Sequence, residues 1–487
     1  MTSTRQLGGL LFASCLLASA CGSEGEAPPP RRVILISIDT LRADHLSAYG
    51  YERPSSPNLD RFAQDAVLFE NAYSQSSWTL PSHMSMFTGL YPLVHGVNDP
   101  SHKLASEVWT LPEILKAEGF ATTAFTDGGF MAGEHGFDSG FDEYRQDNGD
   151  PLSPNCGLTK SYPRMEAWTR EHVEGDFFMF VHTFDVHGPY RVEGEHFGRF
   201  LGEAVATEKG IADFEFLKTL EDSDYLLLDR FGSIEELIAA YDGGILFTDH
   251  MLGRFFDLLD ELGLYEDSLI IVTSDHGESF FDENVYLGHG IFLHDAETKV
   301  PLMIKFPGNR FAGTRFQGMV ESVDLLPTIL QTCRISPPQT MMIQGTSLLD
   351  LVLGGVDPNP VAYSTNPFFV ENYAMRTDEW TVLSKMPDQK ADMMIATRLR
   401  PEDEETLRER LFNEHRLISN GESPLTNRRD QSPELFNQLA AKLTRWRKVQ
   451  SGLKDLIAHP ERRESFRPGE IDQLQKLGYL GGTREKR

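Results

Sequence analysis

Apolar and polar positions fall in long blocks along this chain, and the blocks switch period. Val33-Ile34-Leu35-Ile36-Ser37-Ile38 is a nearly unbroken apolar run, as expected of a strand buried on both faces, and it ends in the polar Asp39-Thr40-Leu41-Arg42. Phe177 to Val181, Leu269 to Thr273 and Val300 to Ile304 repeat the pattern. The first of these is followed by His182, Asp185 and His187, and the second by Ser274-Asp275-His276-Gly277-Glu278. Elsewhere the spacing is helical: Pro57 to Ala66, Thr110 to Glu118 stopped by Gly119, Ile234 to Leu262 closed by Gly263, and Val323 to Leu330. Phe120 to Phe125 returns as a strand. Strands alternating with helices predict a mostly parallel sheet covered on both faces, and such sheets bind ligands beyond the carboxyl ends of their strands. Asp39, Asp275 and His276 stand at such ends.

Two stretches break the pattern. Residues 191–235 are acidic and poorly periodic, with helical fragments such as Asp213 to Leu220, and read as an insertion near the site mouth that selects substrate. After about residue 355 the chain carries Pro- and Asn-rich turns, a short Trp380–Leu383 strand and a Pro433–Lys448 helix. The expected organisation is an α/β catalytic domain over residues 32–355 and a smaller α+β domain over 356–487, with no internal repeat.

The stretch from Ser76 to Gly89 draws attention next. Pro81 suits a helix's first turn and Gly89 the position just past its end, so Thr79 is expected where a loop enters a short helix, beside unpaired backbone N–H groups. Taken alone, it reads as an ordinary N-cap threonine. In company with a metal or base that removes its proton, the hydroxyl becomes a nucleophile at an anion site. Asp39, Asp275, His276 and Thr79 make a four-ligand set for a divalent metal, which would activate that hydroxyl.

Charge and termini narrow the partners. With 45 basic and 73 acidic side chains the formal charge is −28, which repels nucleic acid and anionic lipid. An anionic substrate therefore needs local cationic help. Arg5, the apolar run Leu7 to Leu17 and Ala18-Ser19-Ala20-Cys21 read as an export signal over residues 1–20, too short to span a bilayer. Ala18 and Ala20 fit an ordinary signal site, while small residues before Cys21 resemble a bacterial lipobox. The lipoprotein is the preferred reading, with residues 21–31 as a flexible tether and an exported, envelope-anchored enzyme as the outcome. Membrane contact is then expected only through lipid on Cys21. Cys156 and Cys333 remain in the folded part, and the sequence leaves their pairing open.

The motifs together resemble the sulfatase family of the alkaline-phosphatase superfamily, from about Arg32 to the end. The resemblance is carried by Ile38-Asp39-Thr40-Leu41-Arg42-Ala43-Asp44-His45-Leu46, Ser56-Pro57-Asn58-Leu59-Asp60, Thr88-Gly89-Leu90-Tyr91-Pro92, and Phe184-Asp185-Val186-His187-Gly188-Pro189-Tyr190. Tyr241-Asp242-Gly243, Asp275-His276-Gly277-Glu278, Val300-Pro301-Leu302 and the tail Leu477-Gly478-Tyr479-Leu480-Gly481 continue it. It implies an alkaline-phosphatase-like α/β sandwich and a metal-dependent ester hydrolase acting on a small-molecule, glycan or lipid-derived ester.

Departures from the family shape the expected chemistry. Sulfatases convert a cysteine or serine to formylglycine, but this chain has Thr79 there, and His83 stands where the family has arginine. The Thr79 segment is similar to the nucleotide pyrophosphatase/phosphodiesterase branch, in which an unmodified threonine forms a phospho-enzyme. Thr40 replaces a frequent second aspartate, so Zn²⁺ or Mn²⁺ is expected over Ca²⁺ or Mg²⁺. One ion is the preferred reading, and a second on Asp185, His187 and His289 is the alternative. His187 or His182 is expected to protonate the leaving oxygen, and His289 and His83 to neutralise ester oxygens. The resulting expectation is hydrolysis of a phosphate mono- or diester through a covalent threonine ester. The alternatives are a sulfatase without formylglycine, a phosphoethanolamine- or phosphoglycerol-type transferase, and an inactive binding protein.

Overall fold

The structure, a computed structural model, describes residues 29–147, 149–150, 152–219, 227–282, 287–357, 360–366, 371–385, 415–422 and 426–463. The export segment, Cys21 and the tail motif at Leu477–Gly481 lie outside the described residues. The main sheet has eight strands: β1 (Arg32–Ile38), β2 (Val67–Tyr73), β3 (Ala121–Thr126), β4 (Glu143–Gln146), β5 (Phe177–Thr183), β6 (Leu269–Thr273), β7 (Lys299–Lys305) and β8 (Arg315–Glu321). Their order is β8-β2-β7-β6-β1-β5-β3-β4, and β7 alone runs against both its neighbours.

Alternation along the central strands explains the sandwich. Ile34, Ile36 and Ile38 of β1 join one apolar core with Phe177, Met179 and Val181 of β5. Val33 and Leu35 join the other with Phe178 and Phe180. Helices α1 (Pro57–Asp65), α4 (Gly157–Glu171), α5 (Glu208–Leu217) and α6 (Ile234–Glu261) cover the first face. Helices α2 (Thr79–Thr88), α3 (Leu111–Ala117) and α7 (Leu325–Thr332) cover the second. The register decides what meets at the sheet edge. Ser37 pairs with His182 on one side and Thr273 on the other, so the chain leaves β1, β5 and β6 side by side.

Several elements depart from the sequence reading. β2 was hidden because Glu70 and Asn71 interrupt its apolar run, and β8 because its first half is exposed. α4 carries Pro163 inside it, which reads as a breaker. The helix expected over Asp213–Leu220 is instead Glu208–Leu217, where Phe214 and Leu217 pack into the core. Cys156 and Cys333 form no disulfide; one precedes α4 and the other follows α7.

The C-terminal part is a four-stranded antiparallel sheet, β9 (Ala362–Asn366), β10 (Asn372–Arg376), β11 (Trp380–Lys385) and β12 (His415–Ser419), in that order. Helix α8 (Pro433–Lys454) packs on it, with Trp446 stacked on Tyr363 at 4.3 Å. β9 docks on the loop before α2: Thr365 N donates to the Gln75 carbonyl (2.8 Å) and Ser364 Oγ to the Ser74 carbonyl (2.6 Å). The smaller unit thereby braces the segment that carries Thr79.

Candidate active site

α2 is buried at all ten of its positions, and Gly89 ends it with φ +66°. Trp78 holds the N-cap position, so Thr79 is the first helical residue and its side chain is not a cap. Its hydroxyl donates to Asp39 Oδ2 (3.2 Å) and lies 3.4 Å from His276 Nε2. His276 Nε2 is in turn 3.4 Å from Asp275 Oδ2 and 3.9 Å from Asp39 Oδ1. All four residues are fully buried. The backbone that presents Asp39 is strained: Thr40, β-branched, has φ +58°. Tyr241 holds that turn, donating its hydroxyl to the Thr40 carbonyl and accepting from Arg42 N, both at 2.8 Å.

This set fits a divalent ion. Asp39 Oδ1 and Asp275 Oδ2 are buried without any hydrogen-bond partner, an expensive arrangement unless a cation lies between them. A tetrahedral ion with bonds of about 2.1 Å spaces its ligands by about 3.4 Å, close to the separations found around His276 Nε2. Burial pushes the Asp39 carboxyl well above the ordinary range, and the adjacent Asp275 charge adds to it. Asp275 is held below the ordinary range, so of this pair Asp275 carries the charge and Asp39 keeps its proton unless a cation joins them. Burial likewise pushes His276 down to about 4, so its ring is neutral and able to ligate.

His83 and His182 lie against the same carboxylates, packed edge to face with ring centres 5.0 Å apart. His182 Nε2 is 3.1 Å from Asp39 Oδ2. His83 Nδ1 is 3.0 Å from the Thr79 carbonyl and 3.5 Å from Asp275 Oδ2, and its Nε2 is 2.9 Å from Ser37 Oγ. Both rings therefore face protein oxygens, and the expected roles toward the leaving group and ester oxygens do not match where their nitrogens lie.

His187 and His289 form a separate pair with ring centres 5.1 Å apart, and His289 is 4.4 Å from the His276 ring. Burial pushes them down to about 3 and about 4 respectively. The alternative second metal set, Asp185 with His187 and His289, is not assembled. Asp185 instead accepts from Leu158 N and Thr183 Oγ1 (both 2.8 Å) and pairs with Arg191. Among the described residues, the groups with ligand atoms mutually within 4.8 Å are Asp39–Asp275–His276 and His83–His182–Asp275.

Two supporting residues escaped sequence reasoning. Glu278, 2% exposed, pairs with His289 Nδ1 and accepts from Tyr190 OH, each at 3.0 Å. Asn366, on β9, accepts from Ser76 Oγ (2.8 Å) and Ser77 N (3.2 Å) and donates to Ser77 Oγ (2.6 Å) and the Phe292 carbonyl (3.3 Å). The run Asp275-His276-Gly277-Glu278 contained a signal for the first; nothing in the sequence pointed to the second.

A sequence model of the sulfatase family matches residues 31–335, and a model described as the C-terminal part of N-sulphoglucosamine sulphohydrolase matches residues 284–402. An ulvan-active sulfatase of Formosa agariphila is 27% identical over 353 residues, covering 69% of this chain and 67% of that protein. A multifunctional alkaline phosphatase superfamily protein, PehA of Trinickia caryophylli, is 27% identical over 404 residues, covering 67% of this chain and 77% of that one. The phosphonate monoester hydrolase of Agrobacterium radiobacter superposes with a TM-score of 0.64 at 20% identity, covering 86% of this chain and 96% of that one. That likeness speaks for the fold, and it bears out the expected alkaline-phosphatase-like sandwich.

Proposed function

The chain belongs to the sulfatase family, and on that premise we propose that it hydrolyses phosphate esters through a covalent ester on Thr79, with sulfate esters turned over weakly. The observation that carries this reading is the Thr79 hydroxyl, at the first position of a buried helix, 3.2 Å from Asp39 Oδ2 and 3.4 Å from His276 Nε2. Asp39, Thr79, Asp275 and His276 would hold one Zn²⁺ or Mn²⁺. Such an ion supplies a Lewis acid that lowers the proton affinity of the hydroxyl and offsets ester charge.

The chain's own groups do the rest. Thr79 Oγ attacks phosphorus in line, forming the Oγ–P bond as the bond from phosphorus to the leaving oxygen breaks. The positive end of the α2 dipole, where Thr79 is the first helical residue, favours the anion. The proton that Thr79 gives up passes through the neutral ring of His187 to the leaving oxygen, and His289 faces the ester oxygens. Glu278 pairs with His289 through Nδ1 and so fixes the orientation of the ring. Water then attacks phosphorus, the Oγ–P bond breaks, and a proton from that water passes to Thr79 Oγ. His182 and His83 act one layer back, on the carboxylates.

The preference for phosphorus follows from the nucleophile. A formylglycine hydrate expels sulfate by breaking its own C–O bond through a second hydroxyl, which threonine lacks. The second reading, a sulfuric ester hydrolase that works by attack at sulfur, is favoured by the family and by the sulfatases among its relatives. An aryl-ester panel of phosphate monoester, phosphate diester and sulfate on metal-loaded protein separates the two. Phosphate turnover should dominate and vanish in Thr79→Ala; dominant sulfate turnover would reverse the order.

We also propose that Cys21 is lipidated and anchors the enzyme outside the cytoplasm. Among the described residues no helix is long and apolar enough to cross a membrane. The wild type should partition with membranes and Cys21→Ala should not; a soluble wild type starting at an unmodified Cys21 would refute the anchor.

A further inference from the structure

We propose that the pocket contains a second cation seat, formed by His83, His182 and the Asp275 carboxylate beside the Asp39–Asp275–His276 seat, and suited to Zn²⁺ or Mn²⁺. It rests on the reading that the first seat holds a divalent ion, and it moves the second seat away from Asp185, His187 and His289. The three groups come from the second turn of α2, the end of β5 and the loop after β6, are fully buried, and have ligand atoms mutually within 4.8 Å. Two imidazoles and a carboxylate favour a borderline divalent ion over Ca²⁺.

Each carboxylate faces an imidazole from both seats. Asp275 Oδ2 is 3.4 Å from His276 Nε2 and 3.5 Å from His83 Nδ1, and it has no hydrogen-bond partner. Asp39 offers Oδ1 at 3.9 Å to His276 and Oδ2 at 3.1 Å to His182. Shared carboxylates of this kind hold paired ions about 3.5–4 Å apart in two-metal enzymes. His83 is built to switch: with no ion its Nδ1 donates to the Thr79 carbonyl, whereas an ion on Nδ1 leaves Nε2–H to donate to Ser37 Oγ, 2.9 Å away. A ligating histidine that gives its other N–H to a protein oxygen is the usual supporting arrangement. His182 Nδ1 is buried with no hydrogen-bond partner, so no strong contact ties that ring to one tautomer.

Charge points the same way. Among the described residues neither Asp39 nor Asp275 has a lysine or arginine partner. Arg42, the nearby cation of the opening motif, is committed to Asp44, Asp282 and the Glu278 carbonyl. One divalent ion only offsets the two carboxylates, leaving nothing for an incoming ester dianion. A second makes the pocket net positive.

Equilibrium dialysis of the full chain against Mn²⁺, followed by metal analysis and electron paramagnetic resonance, tests the seat. The wild type should bind two ions per chain with an exchange-coupled spectrum, and His182→Ala one ion with an uncoupled spectrum. One uncoupled ion in the wild type, or two retained in a folded His182→Ala, overturns the second seat alone. No bound ion in the wild type overturns the first seat as well, and with it the proposed function. If His182→Ala does not fold, anomalous diffraction from zinc-soaked wild-type crystals gives the same answer: two peaks within this cluster support the seat and a single peak refutes it.

Discussion

Replacing Glu278 by Gln removes a charge from the site while preserving the shape around it. Glu278 holds His289 Nδ1 through one oxygen and the Tyr190 hydroxyl through the other, each at 3.0 Å, and only 2% of it is exposed. Glutamine can still accept from Nδ1 with its carbonyl oxygen, and its amide can donate to the Tyr190 oxygen, so the fold should tolerate the change. What is lost is charge assistance. Hydrogen bonds to charged groups contribute about 1.5–3 kcal/mol against about 1 for neutral ones, a difference of about 0.5–2 kcal/mol. If that difference acts on the transition state, kcat should fall roughly tenfold with little change in KM. Steady-state kinetics on an aryl phosphate, with a thermal melt as fold control, reads the split between kcat and KM. Wild-type kcat in a folded Glu278→Gln would refute the positioning role.

Two further outcomes follow from the geometry. Burial pushes His187 and His289 from 6.5 to about 3 and about 4. Below pH 6.5 the unfolded chain takes up protons there that the folded chain does not, so their stability contribution is complete above pH 6.5 and is lost as pH falls toward 4. His289 alone withdraws on the order of 3 kcal/mol across that window; a metal-free melting temperature constant from pH 7 to pH 4.5 would contradict this. Asn366→Ala strips partners from Ser76 and Ser77 just before Thr79, which should cost about 2–4 kcal/mol in denaturant unfolding and lower kcat more than it raises KM. Unchanged kcat in that variant would mean that the β9 contact does not position the Thr79 segment.

Much of this site was legible because its candidate ligands stand where periodicity changes. The apolar runs of β1 and β6 ended in Asp39 and Asp275-His276, and Pro81 with Gly89 marked α2 and hence Thr79. The central sheet was legible for the same reason, since buried strands need no alternation. Strands with one exposed stretch, such as β8, lack that signal, and the antiparallel course of β7 is a property of connections rather than of composition. The positions of His83 and His182 depended on register: one helical turn beyond Thr79, and the pairing of His182 with Ser37, set both rings behind the carboxylates. Asp185 followed a buried strand just as Asp275 does, yet its carboxylate meets the start of α4 and Arg191, contacts that no local pattern announces.

The central claim is that Thr79 becomes covalently esterified. Metal-loaded wild type mixed with an aryl phosphate, acid-quenched within a turnover and mapped by peptide mass spectrometry, should carry one phosphoryl group on the Thr79 peptide, and Thr79→Ala none. A phosphoryl group found instead on a histidine, or no adduct under conditions where product forms in a burst, would contradict the account.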